Sequence, residues 1–387
     1  MAGGRPVRVL ILAAPIGSGH LRAAQALAKA FEDSNAGKAE TEVRIVDIFS
    51  FFPAVFGSIF LKAYLKLLDL VPGVYGTLYS FGNNKGSLSG RELINTVLAR
   101  KLRRYLNDEF PADCIVCTHA TPAGLVARLV RADTNPLLSF AVITDFVVHR
   151  WWVYNEIAHY CVAEEKMLED LIGFGIDRGK CHITGIPIDA AFAFSRRSRE
   201  EILQTIGLSP SCKTVLVMGG GAGVLPMEEI IRSCSNIDVP IQFIAVAGKN
   251  QNLMNRLNAL SQRVPHPIKV CGFVDTIPEF MRIADLLVSK PGGMTSAEAL
   301  CCRLPMILYR PIPGQEEGNA KSLIRSGVAV RADKPEQVRE LIENLLVREP
   351  GRIDAMRHRA AQMAKPAAAR AVAELVLEAA RQQKGLT

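Results

Sequence analysis

An α/β protein with two parallel-sheet domains is the fold class that the sequence predicts, on three observations. Short apolar runs alternate with amphipathic segments of helical period along nearly the whole chain. The length of 387 residues exceeds that of one ordinary domain. A Pro187-Ile188-Asp189 turn and the charged run Ser195-Arg196-Arg197-Ser198-Arg199-Glu200-Glu201 separate two such halves and read as a linker. The expected division is a first domain over 1–190, a linker over 191–211, a second domain over 212–359, and a C-terminal helical segment over 360–387.

In the first half, runs at 7–14, 43–46, 112–117, 137–143 and 159–162 are four to eight residues long and rich in Val, Ile and Leu, as buried strands are. Segments 21–31, 91–107, 122–131 and 165–172 space their apolar residues three and four apart and are expected helices. The second half repeats the alternation. Strands are expected at 214–218, 241–247, 268–270, 286–289, 306–309 and 329–330, with helices at 227–235, 251–260, 277–283, 295–302, 319–325 and 335–348. The Ala-rich segment 360–383 reads as one helix able to cross back onto the first domain.

A composition of 49% hydrophobic and 22% charged residues describes a folded globular chain. No apolar run approaches the roughly 18 residues that a membrane span needs. Nine cysteines are an odd number, and the N-terminus enters a strand with no secretory pattern, so free thiols in a reducing, cytoplasmic compartment are expected. Cys114-Ile115-Val116-Cys117 spells C-x-x-C inside an expected strand, where a three-residue offset sends the two thiols to opposite faces. Core packing is the reading that follows.

The net charge of +8 is unevenly placed. Residues 48–106 hold eight Lys and Arg against two acidic residues, and the same window opens with nine aromatics between Phe49 and Phe81. Aromatics beside cations are what an anionic bilayer surface selects, and Phe52, Phe56, Lys62 and Lys66 are the candidate contacts. No nucleic-acid motif accompanies them, so a nucleic-acid partner is not expected. A buried helical hairpin with a solvated basic face is the plain alternative.

Four strand-to-helix junctions are rich in small residues, and open α/β sheets bind ligands at such junctions. The first, Ala14-Pro15-Ile16-Gly17-Ser18-Gly19-His20, lets the backbone approach a ligand and ends on an imidazole able to take a proton from an attacking hydroxyl. It lacks the third glycine of a dinucleotide fingerprint. The second, Met218-Gly219-Gly220-Gly221-Ala222-Gly223, feeds a helix and suits a phosphate, although no Lys-Ser/Thr follows as in a Walker loop.

The third junction, Lys290-Pro291-Gly292-Gly293-Met294-Thr295-Ser296-Ala297-Glu298, offers a carboxylate for ribose hydroxyls. Thr295-x-x-Glu298 also spells a capping box, and both readings stand at this point. The fourth, Pro313-Gly314-Gln315-Glu316-Glu317-Gly318-Asn319, presents an amide and a carboxylate, a pair that suits vicinal sugar hydroxyls. The chain has no D-x-D, and its seven histidines show no metalloprotease spacing, so neither a metal nor a cofactor is expected.

Taken in order, Gly17-Ser18-Gly19-His20, Thr144-Asp145-Phe146, Ile183-Thr184-Gly185-Ile186-Pro187-Ile188, Lys290-Pro291-Gly292-Gly293 and Pro313-Gly314-Gln315-Glu316-Glu317-Gly318-Asn319 resemble the monogalactosyldiacylglycerol synthase and processive diacylglycerol glucosyltransferase family. The resemblance runs from about residue 9 to 330. It implies the GT-B fold, two Rossmann-like domains facing a central cleft. It also implies inverting, metal-independent transfer of a hexose from a UDP-sugar to the sn-3 hydroxyl of diacylglycerol, by a protein peripheral on the inner face of the cell membrane.

Position by position, the resemblance makes His20 the general base and puts Gly19, beside it, among the donor-binding residues. Gly219, Gly220, Gly221 and Gly223 match the diphosphate loop, and Gly272, Phe273 and Val274 the stretch whose main chain pairs with uracil. Pro291, Gly292, Gly293, Met294 and Thr295 fall in the second donor loop. Glu298 matches a ribose ligand, and Gln315, Glu316 and Asn319 fall in the sugar-binding loop. Trp152 matches an aromatic near the acceptor, with Trp151 a second ring beside it. Lys290-Pro291-Gly292-Gly293 looks more like the bacterial glucosyl branch than like plant galactosyl enzymes, which favours glucose over galactose. Two other classes stay open: a GT-B N-acetylglucosaminyltransferase acting on a polyprenyl-linked peptidoglycan precursor, and a UDP-sugar epimerase or non-catalytic membrane-binding scaffold.

Overall fold

The computed structural model describes residues 5–14, 19–34, 41–51, 89–132, 137–194, 197–220 and 225–383. It divides into two compact units, Met1–Asp189 with Pro313–Gln315 and Ala367–Thr387, and Ala190–Ile312 with Glu316–Pro366.

In the first unit the strands are β1 (Val7–Ala13), β2 (Thr41–Asp47), β3 (Cys114–Cys117), β4 (Leu138–Val142), β5 (His159–Val162) and β6 (Cys181–Ile183). They form one parallel sheet in the order β2-β1-β3-β4-β5-β6. β1 shows why such a strand reads as a continuous apolar run. Val7, Val9, Ile11 and Ala13 point to one face, where they pack with Ala24, Leu27 and Phe31 of the helix Gly19–Ser34. Leu10 and Leu12, between them in sequence, are fully buried as well. Both faces are covered, as parallel sheets require.

The helix Ala368–Gln383 contributes Val372, Ala373, Val376, Leu377 and Ala380 to that same core. Apolar residues three and four apart make this stripe. The helix expected over 360–383 is two helices, Pro350–Met363 and Ala368–Gln383. Pro366 lies between them, and proline drives the residue before it out of helical backbone.

In the second unit the strands are β7 (Lys213–Met218), β8 (Ile241–Val246), β9 (Ile268–Cys271), β10 (Leu286–Ser289), β11 (Met306–Tyr309) and β12 (Ala329–Ala332). They too form one parallel sheet, in the order β12-β11-β10-β7-β8-β9. Its core sets Val215 and Val217 of β7 against Ile230 and Ile231, Leu253 and Leu257, and Val338 and Ile342 from three helices.

Within the span expected as a linker, Arg199–Thr205 forms a helix. Ser198 accepts from Glu201 N and the Glu201 carboxylate accepts from Ser198 N, a capping box that starts the helix inside the run. All nine cysteines are free. Cys114 and Cys117 are both buried in β3, and burial pushes the Cys117 thiol far up from its ordinary range. No described helix is long and apolar enough to cross a membrane.

Candidate active site

Each sheet reverses its strand order at one place, and three of the four junctions singled out from sequence fall there, while the fourth, at 313–319, follows β11, the strand next to β10. In the first unit β2 lies on one side of β1 and β3 on the other, so the reversal opens between β1 and β3. Leu12 and Cys117 are register partners near the ends of those two strands. His20 enters its helix after β1, and Thr118 follows β3 directly. The crevice at such a reversal, beyond the carboxyl ends of the strands, is the ligand position of open α/β sheets.

His20 is held tightly there. Its Nδ1 lies 2.9 Å from the Thr118 carbonyl oxygen and 2.8 Å from Thr144 Oγ1, while the Thr118 hydroxyl donates back to the His20 carbonyl at 3.1 Å. A carbonyl only accepts, so the Nδ1 proton is fixed by Thr118 and the lone pair belongs to Nε2. Nε2 has no hydrogen-bond partner among the described residues. The His119 ring meets His20 edge-on at 4.6 Å. Burial lowers the His20 pKa, with the Asp145 charge and the Thr118 carbonyl working in the opposite direction. The neutral ring with its lone pair on Nε2 is therefore the resting form near neutral pH.

Asp145 and His149 extend the constellation. Both are buried, and Gln315, which groups with this unit, donates its amide to Asp145 Oδ2 at 3.0 Å and to His149 Nε2 at 3.1 Å. The amide nitrogen supplies two N–H donors, which matches one carboxylate and one ring lone pair. Trp152, expected near the acceptor, is 1% exposed and packs in the interior, whereas Trp151 beside it is 37% exposed. Solvent, and any ligand arriving from it, meets the Trp151 ring. Sequence reasoning named neither Thr118 nor His149 for a role. Their signals were a polar Thr118-His119 pair directly after an apolar strand and a histidine three residues beyond Thr144-Asp145-Phe146.

In the second unit the reversal lies between β7 and β10. Met218 and Ser289 are register partners at the two strand ends, so the Gly219 and Lys290 junctions begin side by side. Gly220 has a φ of 70°, the left-handed region that glycine enters without strain. Gly221 and Gly223 lie outside the described residues, as do Phe52, Phe56, Lys62 and Lys66 of the aromatic and basic segment.

The Pro291-Gly292-Gly293 junction corrects one expectation. Its helix spans Gly293–Cys301 with Gly292 as N-cap and no side-chain cap bond. Thr295 is therefore the third residue of the helix rather than its N-cap, and Thr295-x-x-Glu298 is not a capping box here. The first N–H groups of an uncapped helix end lack internal acceptors, which suits an anion. Pro291, Gly293 and Met294 are buried, so main-chain N–H groups rather than the Met294 side chain are what this turn can offer a ligand. Glu298 is 1% exposed.

Asn319 is buried and donates to the Pro291 carbonyl at 3.0 Å, which pins this loop to the helix Gln315–Arg325. Lys290 Nζ donates to the Arg310 carbonyl at the end of β11. Burial lowers the Lys290 pKa, and the nearby Glu316 charge raises it. Glu316 itself accepts from Ile312 N at 2.9 Å. Beyond β9, Gly272-Phe273-Val274 exposes the Phe273 ring, with Lys249 Nζ 5.4 Å from its centroid. No cluster of three or more His, Cys, Asp or Glu able to hold a metal occurs among the described residues.

Two Rossmann-like parallel sheets with glycine-bearing junctions at their reversal points define the class, the GT-B fold of glycosyltransferases and their relations. Solved structures agree on the fold. MurG of Acinetobacter baumannii superposes with a TM-score of 0.62 at 16% identity, over 97% of this chain and 100% of that one. UDP-GlcNAc 2-epimerase of Neisseria meningitidis, bound to UDP-GlcNAc, gives 0.61 at 15% identity with the same coverage.

Sequence comparison is more specific. Residues 20–188 match the family model of monogalactosyldiacylglycerol (MGDG) synthase, and residues 214–376 match the glycosyltransferase family 28 C-terminal domain. The processive diacylglycerol beta-glucosyltransferase of Bacillus subtilis is 32% identical over 344 residues, 88% of this chain and 87% of that protein. Its counterpart in Bacillus pumilus is 30% identical over 340 residues, covering 88% and 86%. The chain belongs to the monogalactosyldiacylglycerol synthase and processive diacylglycerol glucosyltransferase family.

Proposed function

We propose that this protein transfers a hexose from a UDP-sugar to the sn-3 hydroxyl of 1,2-diacylglycerol, with inversion at the anomeric carbon, and that the hexose is glucose. Family membership and relatives named as processive diacylglycerol beta-glucosyltransferases support the reaction class. The observation that carries the chemistry is His20, whose Nδ1 is committed to Thr118 and whose Nε2 is left as a base.

In this reading the lipid oxygen attacks C1 of the sugar as its proton passes to His20 Nε2, and the C1–O bond to UDP breaks. One displacement inverts the centre. The charge left on UDP is assigned to main-chain N–H groups of the Gly219 junction and of the uncapped start of Gly293–Cys301. Glu298 is assigned to the ribose, Gly272-Phe273-Val274 to the base, and Glu316 with Gln315 to the hexose. Trp151 rather than Trp152 is assigned to the acceptor. The basic aromatic segment 48–106 is assigned to an anionic membrane surface, which makes the protein peripheral on the cytoplasmic face of the membrane.

The test is incubation with UDP-glucose, UDP-galactose and UDP-N-acetylglucosamine in mixed micelles of diacylglycerol, followed by mass measurement of the lipid. A diacylglycerol bearing one or more hexoses is expected, from UDP-glucose above UDP-galactose. Transfer only to a polyprenyl carrier, or release of an epimerised sugar with the lipid untouched, overturns the reading.

A further inference from the structure

His20 Nδ1 has two oxygens within hydrogen-bond range, and the second of them has no duty in the mechanism above. The Thr118 carbonyl alone fixes the tautomer. Thr144 Oγ1, 2.8 Å from the same nitrogen, arrives from the segment after β4, two strands from β1 in the sheet. Thr144 is 3% exposed, so water does not stand in for its hydroxyl. With the Nδ1 proton directed at a carbonyl, the hydroxyl meets that nitrogen as an acceptor. The N–H is shared between two oxygens.

We propose that Thr144 is a positioning residue for His20: its hydroxyl accepts from Nδ1–H and stabilises the imidazolium formed when Nε2 takes the lipid proton. The proposal rests on His20 being the base. On proton transfer the ring gains a positive charge, the Nδ1–H bond becomes charge-assisted, and both acceptors gain strength together. The contact is therefore stronger after proton transfer than before it, which is the condition for affecting rate rather than binding. The groups facing the ring are His119, edge-on at the end of β3, and Asp145, whose charge favours the imidazolium. Thr144 precedes Asp145 in sequence, so one strand end supplies the near neutral acceptor and the more distant charge.

The test compares Thr144→Val, Thr144→Ser and His20→Ala in the full chain. Val keeps the shape and removes the hydroxyl, and Ser restores the hydroxyl. One hydrogen bond to a forming cation corresponds to about tenfold or somewhat more in rate. Thr144→Val should lower kcat about tenfold with KM for UDP-sugar unchanged, and shift the acid limb of the rate profile to lower pH. Thr144→Ser should recover kcat to within about threefold of wild type. Imidazole nitrogen shifts in ¹⁵N-histidine NMR, with the His20 signal assigned by its loss in His20→Ala, should move in Thr144→Val and return in Thr144→Ser.

A Thr144→Val enzyme with wild-type kcat and unmoved His20 shifts overturns the proposal. So does a Ser variant as slow as the Val variant with unmoved shifts, because the hydroxyl then does not matter. Should His20→Ala remain active, the base assignment itself fails, and Thr144 fails with it. Circular dichroism and the thermal unfolding midpoint, compared with wild type, report whether each variant is folded.

Discussion

His20 owes the lone pair on Nε2 to what it touches on the opposite side of the ring, and its titration follows from the same contacts. Neutral imidazole is the working form, and burial sets its pKa below the ordinary value of about 6.5. Turnover should therefore climb with pH along a limb below 6.5 and stay level above it. A limb centred above 6.5, or none, contradicts a buried histidine base. His20→Ala should cost on the order of 10²–10⁴ in kcat while calorimetric UDP affinity is unchanged. Glu298, almost without exposure, is better tested by the isosteric Glu298→Gln than by Ala, which removes packing along with charge. Glu298→Gln should weaken UDP and UDP-sugar alike, and Glu316→Ala should weaken the UDP-sugar far more than UDP. Equal losses for both ligands in both variants refute the division of labour. The glycine junctions and His20 were legible because small residues between a strand and a helix have few other uses. Thr118 and Thr144 were not, since contacts 98 and 124 residues apart depend on strand order, which periodicity does not encode. Trp151 and Trp152 lie in the 3₁₀ turn Arg150–Trp152, where neither a helical nor a strand period says which ring faces inward.

At the scale of single elements, two Ser/Thr-x-x-Glu sequences behave oppositely, and the difference is measurable. Ser198 caps its helix with a reciprocal Glu201 bond, whereas Thr295 lies inside a helix that Gly292 starts. Ser198→Ala should lower the stability of the second unit by about 1 kcal/mol in urea unfolding. Thr295→Ala should cost less than half as much, about 0.5 kcal/mol or below. Comparable losses place the N-cap at Thr295 after all. An uncapped helix end beside Lys290 is also a standing source of positive potential for a diphosphate. Turnover should accordingly persist in EDTA, and a strict requirement for added Mg²⁺ contradicts that account. Strand and helix order was legible over most of the chain because inner strands such as β3, β10 and β11 are buried and nearly unbroken apolar runs. The edge strand β2, by contrast, carries Thr41, Glu42, Arg44 and Asp47. The three-residue β6 is too short to show a period, and a helix over 360–383 ignored the signal of Pro366. The capping box at Ser198 was visible as well, inside a run whose charge suggested a linker.

For the molecule as a whole, charge placement matters more than the total of +8. If residues 48–106 dock on a membrane, sedimentation with anionic vesicles should exceed that with zwitterionic ones and fall with salt. Neutralising Lys62, Lys66 and Lys85 together should reduce vesicle binding and leave UDP affinity alone, each basic residue being worth about 1 kcal/mol near an anionic surface. Unchanged sedimentation removes the membrane assignment from this segment. Phe51, the second aromatic in the segment's cluster, is buried with its ring against Tyr105, so this ring is core rather than a membrane contact. The C-terminal helix carries a different consequence. Val372, Val376 and Leu377 close the core that β1 and Phe31 open, more than 300 residues earlier in the chain. A ribosome making this protein thus finishes the second unit while the first still lacks a wall. During that interval the nascent chain exposes an apolar sheet face awaiting a helix not yet synthesised. A fragment ending near residue 189 should remain in that state permanently, bind chaperones or aggregate, and recover solubility when the Ala368–Gln383 helix is supplied as a separate peptide.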